Sequence, residues 1–161
     1  MVKVFLSLAS VLALFSASLR AEDAKYFKMV HVETKKVLSI VDKSDEAAAR
    51  CEIAKDDDSE IQQWKVEKTG DILKLTNRKT GKVLDVNEAS ADDGAEIIQY
   101  DAKDEDNDNQ RWSWVGDAKE KRLKSKSSGK VLDIGEGDKV VQKSSSDKAK
   151  TQLWEAVEIK K

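Results

Sequence analysis

Cysteine, histidine and proline are scarce in this chain of 161 residues, which has one cysteine, one histidine and no proline. Because Cys51 has no second cysteine to pair with, an intrachain disulfide is excluded, and we expect a small buried thiol rather than a link between two chains. Since His31 is the single histidine, a metal site built from several histidines is excluded as well. The chain also lacks an Asn-x-Ser/Thr acceptor for N-glycosylation.

Sequence motifs of common enzymes are absent too. Neither Gly-x-Ser-x-Gly nor His-Glu-x-x-His occurs, and the spacing of the 31 acidic residues singles out no carboxylate pair for glycoside hydrolysis. We therefore expect a protein that is not an enzyme and that holds no cofactor and no metal.

Charge of one sign is not in large excess, because 29 Lys and Arg stand against 31 Asp and Glu, and the two kinds are interspersed along the whole chain. A nucleic-acid-binding protein would carry a basic stripe, and a protein attracted to anionic lipid would carry a polybasic cluster. The sequence has neither, so we expect no nucleic-acid partner and no membrane insertion.

The first residues have the pattern of a secretory signal. Met1-Val2-Lys3 is a short basic start, the apolar run Val4–Leu19 follows, and small residues lie near Ala21. The run is short for a membrane-spanning helix and is interrupted by serines, which disfavours the alternative of a membrane anchor. We predict a signal peptide over residues 1-21 and a secreted domain over residues 22-161, periplasmic if the source is bacterial; that length supports one core.

Two sequence motifs recur three times in the same order. The first motif is a block ending in Val-Leu-x-Ile or Val-Leu-x-Val, and it occurs at 36–40, 82–86 and 130–134. The second is Gln-x-Trp, and it occurs at 62–64, 110–112 and 152–154. Leu38, Leu84 and Leu132 are 46 and 48 positions apart, a period that indicates repeated units in a closed or stacked architecture.

Each repeat is predicted to contain four short strands. In the middle repeat they are Ile72–Thr76, Lys82–Val86, Glu96–Tyr100 and Arg111–Val115, separated by Gly, Asn, Asp and Ser clusters. Repeats at about 25-68, 69-116 and 117-161 then give twelve strands. Three such units around an axis can close a barrel and bury a shared centre, whereas one alone would expose an apolar face and unpaired edges.

Some side chains and segments can be assigned to this architecture in advance. We expect Trp64, Trp112 and Trp154 in the shared core, and Trp114 to be partly exposed. Residues 46–55 have helix propensity where the repeat requires a strand, and we expect tertiary context to override that propensity.

Three units of this length, each with a Val-Leu-Asp-like strand and a terminal Gln-x-Trp, resemble the ricin B-type lectin β-trefoil. The resemblance covers essentially all of the chain after the leader. It implies an all-β fold, a β-trefoil of twelve strands with pseudo-threefold symmetry, and carbohydrate binding of the galactose or N-acetylgalactosamine type. Sugar sites in this family decay readily in individual repeats, so each repeat has to be judged by its own residues.

The middle repeat holds a full set of groups for a shallow sugar site, which needs an aromatic plate and a few fixed hydrogen-bonding groups. By the resemblance, Asp85 would accept hydrogen bonds from two adjacent hydroxyls, and Tyr100 would stack on the C–H face of the ring. Asn109 would contact a hydroxyl and Gln110 would orient the carboxylate. The remaining lining positions are Lys103 and the backbone of Ile98. We expect the Asp85 and Tyr100 side chains to be largely exposed.

The other two repeats have lost parts of this set. In the first, Ser39 occupies the place of Asp85; in the third, Asp133 is retained, but Lys143 takes the place of Tyr100 and Thr151 that of Asn109. We therefore expect a monomer with one site. The alternative is that the middle residues are structural and that the protein acts through a protein partner, as an inhibitor, toxin accessory or structural module.

The acidic stretch 104–108 has some likeness to a calcium loop. The EF-hand pattern fails, because Asn109 stands where glycine is required and Val115 where the bidentate glutamate should be. A solvated hairpin loop is the favoured interpretation, and a weak Ca²⁺ site is the alternative.

Overall fold

Twelve β-strands form one continuous sheet in residues 24–160, the part of the chain that the structure, a computed structural model, describes. The strands are β1 (Tyr26–His31), β2 (Val37–Ile40), β3 (Cys51–Ala54), β4 (Trp64–Thr69), β5 (Ile72–Asn77), β6 (Val83–Val86), β7 (Ile97–Tyr100), β8 (Trp112–Val115), β9 (Arg122–Ser125), β10 (Val131–Ile134), β11 (Val140–Lys143) and β12 (Trp154–Glu158). The predicted all-β class is confirmed. The predicted signal peptide lies outside the described residues.

Short 3-10 helices occupy six of the connections within residues 24–160, and these residues contain no α-helix. They are Val41–Lys43, Glu60–Gln62, Asn87–Ala89, Asp108–Gln110, Glu136–Asp138 and Lys150–Gln152. Two of them fall at matching places in each repeat, one after the second strand and one before the fourth. In this described part, no helix has the length and apolarity needed to cross a membrane.

Six of the strands form a barrel and the other six form hairpins across its end. In the barrel β1 pairs with β4 and β12, β4 with β5, β5 with β8, and β8 with β9. A backbone hydrogen bond from Trp154 N to Lys121 O closes the ring. The hairpins β2–β3, β6–β7 and β10–β11 meet through single bridges such as Arg50 with Ile98 and Glu96 with Val141. This is the predicted β-trefoil.

Three tryptophans mark the pseudo-threefold symmetry in the core. Trp64, Trp112 and Trp154 are fully buried, and each begins the fourth strand of its repeat. The indole N–H of Trp64 donates to Leu38 O at 3.3 Å and that of Trp112 to Leu84 O at 3.1 Å. The indole N–H of Trp154 has no hydrogen-bond partner among the described residues. The predicted positions of these tryptophans are confirmed, and Trp114 is half-buried as expected.

Tertiary pairing overrides local propensity in the first repeat. The segment with helix propensity forms a turn followed by β3, whose residues Cys51 and Ile53 are buried against the core. Cys51 is a free thiol with 1% exposure, and burial raises its pKa, so it has the hydrophobic role predicted for it. The strands predicted for the middle repeat agree with β5, β6, β7 and β8 to within one residue at each end.

We predict that the core tryptophans respond unequally to replacement by phenylalanine, which removes the indole N–H together with part of the ring. Trp112→Ala should lower the free energy of unfolding by about 3–5 kcal/mol, because it leaves a large cavity. Trp112→Phe leaves a smaller cavity, and the loss of the hydrogen bond to the Leu84 carbonyl should lower the free energy of unfolding by roughly 1 kcal/mol more. Trp154→Phe lacks that additional cost, because its N–H has no partner. Urea denaturation of the variants measures the difference, and equal losses for the two phenylalanine variants would contradict the assignment.

Candidate functional site

The β6–β7 hairpin and the turn before β8 bring the predicted site residues together. Hairpin pairing places Asp85 opposite Ile98 and Val83 opposite Tyr100. Asn109 and Gln110 come from the 3-10 helix Asp108–Gln110, which ends just before the core tryptophan of this repeat. The hairpin register and the buried tryptophan therefore fix where these side chains lie in the middle repeat.

The side chain of Gln110 ties the site to the loop beside it. Its Nε2 donates to Asp85 Oδ2 at 2.8 Å and to Asp101 O at 2.9 Å, while its Oε1 accepts from Lys103 N at 2.9 Å. Gln110 is fully buried, so all of these bonds are protected from water. The prediction that Gln110 orients Asp85 agrees with this geometry.

The glutamines of the other two repeats make the same loop contacts. Gln62 donates to Lys55 O and accepts from Asp57 N. Gln152 donates to Ser144 O and accepts from Ser146 N. These loop contacts, the glutamine clamps, are therefore part of the fold, and the middle and third repeats add a bond from the glutamine to a carboxylate, Asp85 and Asp133 respectively.

Asn109 has a fixed amide with one unpaired atom. Its Nδ2 donates to Asp85 Oδ1 at 2.8 Å and to Val86 O at 3.1 Å, which sets the orientation of the side chain. Its Oδ1 is buried and accepts no hydrogen bond from the described residues. An unpaired buried carbonyl is costly, so this oxygen is an acceptor that a ligand hydroxyl would satisfy.

The Asp85 carboxylate keeps acceptor capacity after these bonds. A carboxylate offers about four lone-pair positions, and Asn109 and Gln110 occupy two of them. The expectation that Asp85 is largely exposed is wrong, because the residue is only 2% exposed. The two amides that hold it also cover it. Burial raises the pKa of Asp85, against the opposing effects of Gln110, Lys103 and Asn109.

Tyr100 and Lys103 form the open side of the site. Tyr100 is 38% exposed at the end of β7, which is less than the large exposure expected but leaves ring surface accessible. The Lys103 ammonium lies 5.8 Å from the centre of the Tyr100 ring, within cation–π range. The side chain of Ile98 is buried, with 3% exposure.

A hollow of about 270 Å³ joins these groups. It is lined by Asp85, Asn87, Glu88, Ile98, Tyr100, Lys103 and Asn109. Five of the six residues predicted for the site are in this lining, and Gln110 lies behind Asp85. The hollow is smaller than pockets that enclose drug-sized ligands, so it suits one small ring.

Sequence reasoning missed Asn87 and Glu88 in this lining. Both lie in the 3-10 helix after β6, where Glu88 has a positive φ of 54°. The matching residues of the other repeats, Asp42 and Gly137, also have positive φ. Aligning the residues after each Val-Leu-x-Ile/Val block would have identified this wall of the site.

The matching places in the first and third repeats are differently built. In the third, Asp133 is held by Gln152 Nε2 at 2.9 Å and by the backbone N–H of Ile134 at 2.6 Å. Hairpin pairing places Lys143 opposite Val131, as Tyr100 lies opposite Val83. The Lys143 ammonium is 4.0 Å from the Asp133 carboxylate, where the middle repeat has an aromatic ring.

The first repeat has neither a carboxylate nor an aromatic ring at these places. Ser39 lies where Asp85 does, and Ala54 pairs opposite Val37 at the position of Tyr100. Ile61, which precedes Gln62, is buried in the core, with 1% exposure.

Two other features of the described residues do not form this kind of site. A larger hollow of about 510 Å³ at the far end of the barrel has mainly apolar walls, including Phe27, Leu73 and Trp114, and lacks the carboxylate and amide set. Residues 24–160 contain no group of three or more His, Cys, Asp or Glu arranged to hold a metal ion.

Comparison with protein families identifies the class. Residues 14–100, more than half of the chain, match the family described as ricin-type beta-trefoil lectin domain-like. The chain belongs to this family, and the predicted relationship is confirmed. A comparison with curated protein sequences gave no match.

Solved structures show the same fold. The designed three-fold symmetric protein ThreeFoil is 32% identical, with a TM-score of 0.77 over 83% of this chain and 99% of that one. The exo-beta-1,3-galactanase 1,3Gal43A from Clostridium thermocellum is 28% identical, with a TM-score of 0.77 over 86% of this chain. The Polyporus squamosus lectin, bound to Neu5Aca2-6Galb1-4GlcNAc, is 22% identical, with a TM-score of 0.72 over 81% of this chain. This chain spans 31% of the galactanase and 48% of the lectin.

We predict that Asp85 and Tyr100 differ in their effect on stability. Asp85→Ala should lower the free energy of unfolding by about 1–3 kcal/mol, because it leaves buried amide donors of Asn109 and Gln110 without their acceptor. Tyr100→Ala, at a partly exposed strand end, should cost less. Thermal and urea unfolding of both variants, without sugar, tests this. A neutral effect of Asp85→Ala would mean that its buried hydrogen bonds do not form in solution.

Proposed function

We propose that this protein is a secreted lectin that binds galactose or N-acetylgalactosamine units of glycans through one site, in the middle repeat. The observation that carries the proposal is the buried Asp85 carboxylate, held by Asn109 and Gln110 and beside the exposed Tyr100 ring. The membership of the chain in a lectin-like family supports carbohydrate binding in general.

The arrangement matches the two kinds of surface on a sugar ring. The spare lone pairs of Asp85 accept hydrogen bonds from adjacent hydroxyls, and a charged acceptor makes these bonds stronger than neutral ones. The unpaired Oδ1 of Asn109 accepts from a further hydroxyl. The Tyr100 ring offers an apolar plate for the C–H face, with Lys103 at its edge.

One site per chain follows from the differences among repeats. The third repeat places an ammonium beside its carboxylate, and the first lacks the carboxylate. A monomer with one shallow site gains nothing from avidity, so we expect a stoichiometry near one, about millimolar affinity for a monosaccharide, and no cross-linking of cells.

The galactose preference and the export rest on separate observations. An exo-beta-1,3-galactanase, whose name describes action on galactose polymers, shares 28% identity with this chain over the trefoil. Export rests on the signal-like pattern at residues 1-21. The module itself is proposed to bind and not to catalyse.

We predict a contrast between matched carboxylates in the middle and third repeats. Asp85→Asn keeps the shape of the side chain but removes the charged acceptor, and Tyr100→Ala removes the aromatic ring that stacks on the sugar. Each change should weaken galactose binding by about 1–3 kcal/mol, roughly 5- to 150-fold. Asp133→Asn should leave binding unchanged. Titration calorimetry with galactose, with circular dichroism as a folding control, measures all three.

The contrast also discriminates between the functions considered. Loss of binding at Asp133→Asn with retention at Asp85→Asn would move the site to the third repeat. If the wild-type protein binds no sugar on a broad glycan array, the lectin proposal is wrong, and action through a protein partner takes its place.

We predict opposite effects of acid on sugar binding and on the stability contribution of Asp85. Because burial raises the pKa of this carboxyl above 3.8, it gains a proton at a higher pH in the folded chain than in the unfolded chain. Sugar hydroxyls donate to the charged form, so affinity should be full above the raised pKa and fall as the pH drops through it. Above the raised pKa the buried charge of Asp85 lowers the free energy of unfolding. As the pH drops through this pKa, protonation removes the charge and the free energy of unfolding rises. Galactose titrations and urea denaturation from pH 7 to 3.5, with Asp85→Asn as reference, test both signs; affinity that stays constant in this range contradicts the role of the carboxylate.

A further inference from the structure

A cationic residue occupies the same place in the first strand of every repeat. Strand pairing sets His31 opposite Trp154, Asn77 opposite Trp64, and Ser125 opposite Trp112. The residues three positions earlier are therefore equivalent to one another. These residues are Lys28, Lys74 and Arg122.

In the first two repeats this cation has a carboxylate partner. The Lys28 ammonium bonds Asp56 at 2.7 Å and also bonds Asp58, both in the loop after β3. The Lys74 ammonium lies 3.1 Å from Glu67 on the neighbouring strand. A charge in a partly buried place is stabilised by such a partner.

In the third repeat the cation has no carboxylate partner among the described residues. Arg122 is 5% exposed, yet its Nη2 donates only to Ser146 O at 3.1 Å and its Nη1 to Glu120 O at 3.5 Å. Its Nε is buried without any hydrogen-bond partner. A buried guanidinium without a bonded carboxylate is an unfavourable arrangement, because two backbone carbonyls and the more distant charge of Asp117 compensate only in part for the loss of water around its charge.

The loop beside Arg122 has lost one of the two acidic residues that the first repeat supplies. The glutamine clamps align Lys55 with Ser144 and Asp57 with Ser146, so Ser145 stands where the first repeat has Asp56. The neighbouring strand supplies no carboxylate to Arg122, because Arg122 pairs opposite Val115. In the middle repeat, by contrast, Lys74 pairs opposite Glu67. Ser145 and Val115 therefore supply no carboxylate to Arg122. Asp147, at the place of Asp58, remains acidic, but Arg122 donates no hydrogen bond to it.

The third repeat as a whole also has a net positive charge. Residues 117–161 contain twelve Lys and Arg against eight Asp and Glu, whereas residues 69–116 contain six against eleven. Ser145 and Ser146 are exposed and provide hydroxyl donors in the loop whose Ser146 carbonyl contacts the guanidinium, whereas the Ser144 hydroxyl already donates to Asp93 Oδ1 at 3.1 Å. An anion is attracted to such a place, and arginine is suited to oxyanions because its planar fork matches their geometry.

We propose that Arg122 and the serine loop at 144–146 form a binding site for a sulfate or phosphate group in the third repeat. The oxyanion takes the place that Asp56 occupies in the first repeat, with Arg122 donating from its guanidinium and the serine hydroxyls donating from the loop. The site is separate from the middle-repeat site and does not rest on the proposed galactose binding.

The first test compares inorganic sulfate with sodium chloride at equal ionic strength. Sulfate should raise the melting temperature of the wild-type protein by roughly 2–6 °C more than it raises that of Ser145→Asp, in which a carboxylate already fills the place. This comparison removes the general stabilising effect of sulfate, which acts on both proteins. Equal shifts in the two proteins, or no shift in the wild type, would overturn the proposal.

The second test uses the symmetry of the chain as its control. Without sulfate, Ser145→Asp should raise the melting temperature, and this gain should disappear in the background of Arg122→Gln. Ala102→Asp places the same carboxylate at the matching loop position of the middle repeat, where Lys74 already has Glu67, and should give no gain. If Ala102→Asp stabilises as much as Ser145→Asp, the effect does not come from Arg122.

A third measurement distinguishes a free ion from a sulfated glycan. Galactose 6-sulfate, inorganic sulfate and galactose are titrated separately into Asp85→Asn, and the amide signals of residues 144–148 are followed. Shifts with the sulfated sugar at lower concentration than with inorganic sulfate assign the site to a sulfated ligand, and equal concentrations assign it to the ion itself. If neither galactose 6-sulfate nor inorganic sulfate shifts these amides, the proposal is wrong, even if the middle-repeat site of the wild-type protein binds galactose.

Discussion

The hydrogen bonds of the Gln-x-Trp glutamine are the interaction on which the rest of this structure depends. Each glutamine amide joins the loop after the third strand to the turn before the fourth, and the tryptophan two residues later fills the common core. In the middle repeat the same amide also donates to Asp85. The hydrogen bonds of Gln110 that stabilise the fold therefore also orient the candidate binding carboxylate, and no further conformational entropy is lost in doing so.

Symmetry explains why the three repeats can diverge in chemistry without losing the fold. The core needs the tryptophans and the glutamine clamps, and all three repeats keep them. The positions of Asp85, Asn109 and Tyr100 lie at the hairpin end of the barrel, where Ser39, Thr151 or Lys143 is accommodated. A carboxylate, an unpaired amide oxygen and an accessible ring occur together in the middle repeat alone. In the third repeat the same freedom has left Arg122 without a carboxylate.

Most of the fold was predictable from the sequence, because the repeated motifs contain the residues that make its defining contacts. The strands and the buried tryptophans follow from the alignment of the repeats, and the grouping around Asp85 was implied by the resemblance to the ricin B-type lectins. The burial of Asp85 was not predictable, since it results from two amides that approach from a turn 24 and 25 positions away. Asn87 and Glu88 were missed because their place in the wall depends on a positive φ after β6, which is indicated only when the residues that follow the three Val-Leu-x-Ile/Val blocks are aligned. The missing partner of Arg122 appears only when equivalent loops are compared in three dimensions.

The central claim is that one sugar site exists and that it lies in the middle repeat. Mapping amide chemical-shift changes on ¹⁵N-labelled protein during a galactose titration tests this most directly, because it reports every residue at once and needs no variant. The structure predicts saturable shifts in residues 85–88, 98–103 and 109–110, with the matching residues 133–138 and 141–152 unaffected. Saturable shifts centred on the third repeat, or no shifts at millimolar galactose, would contradict the account.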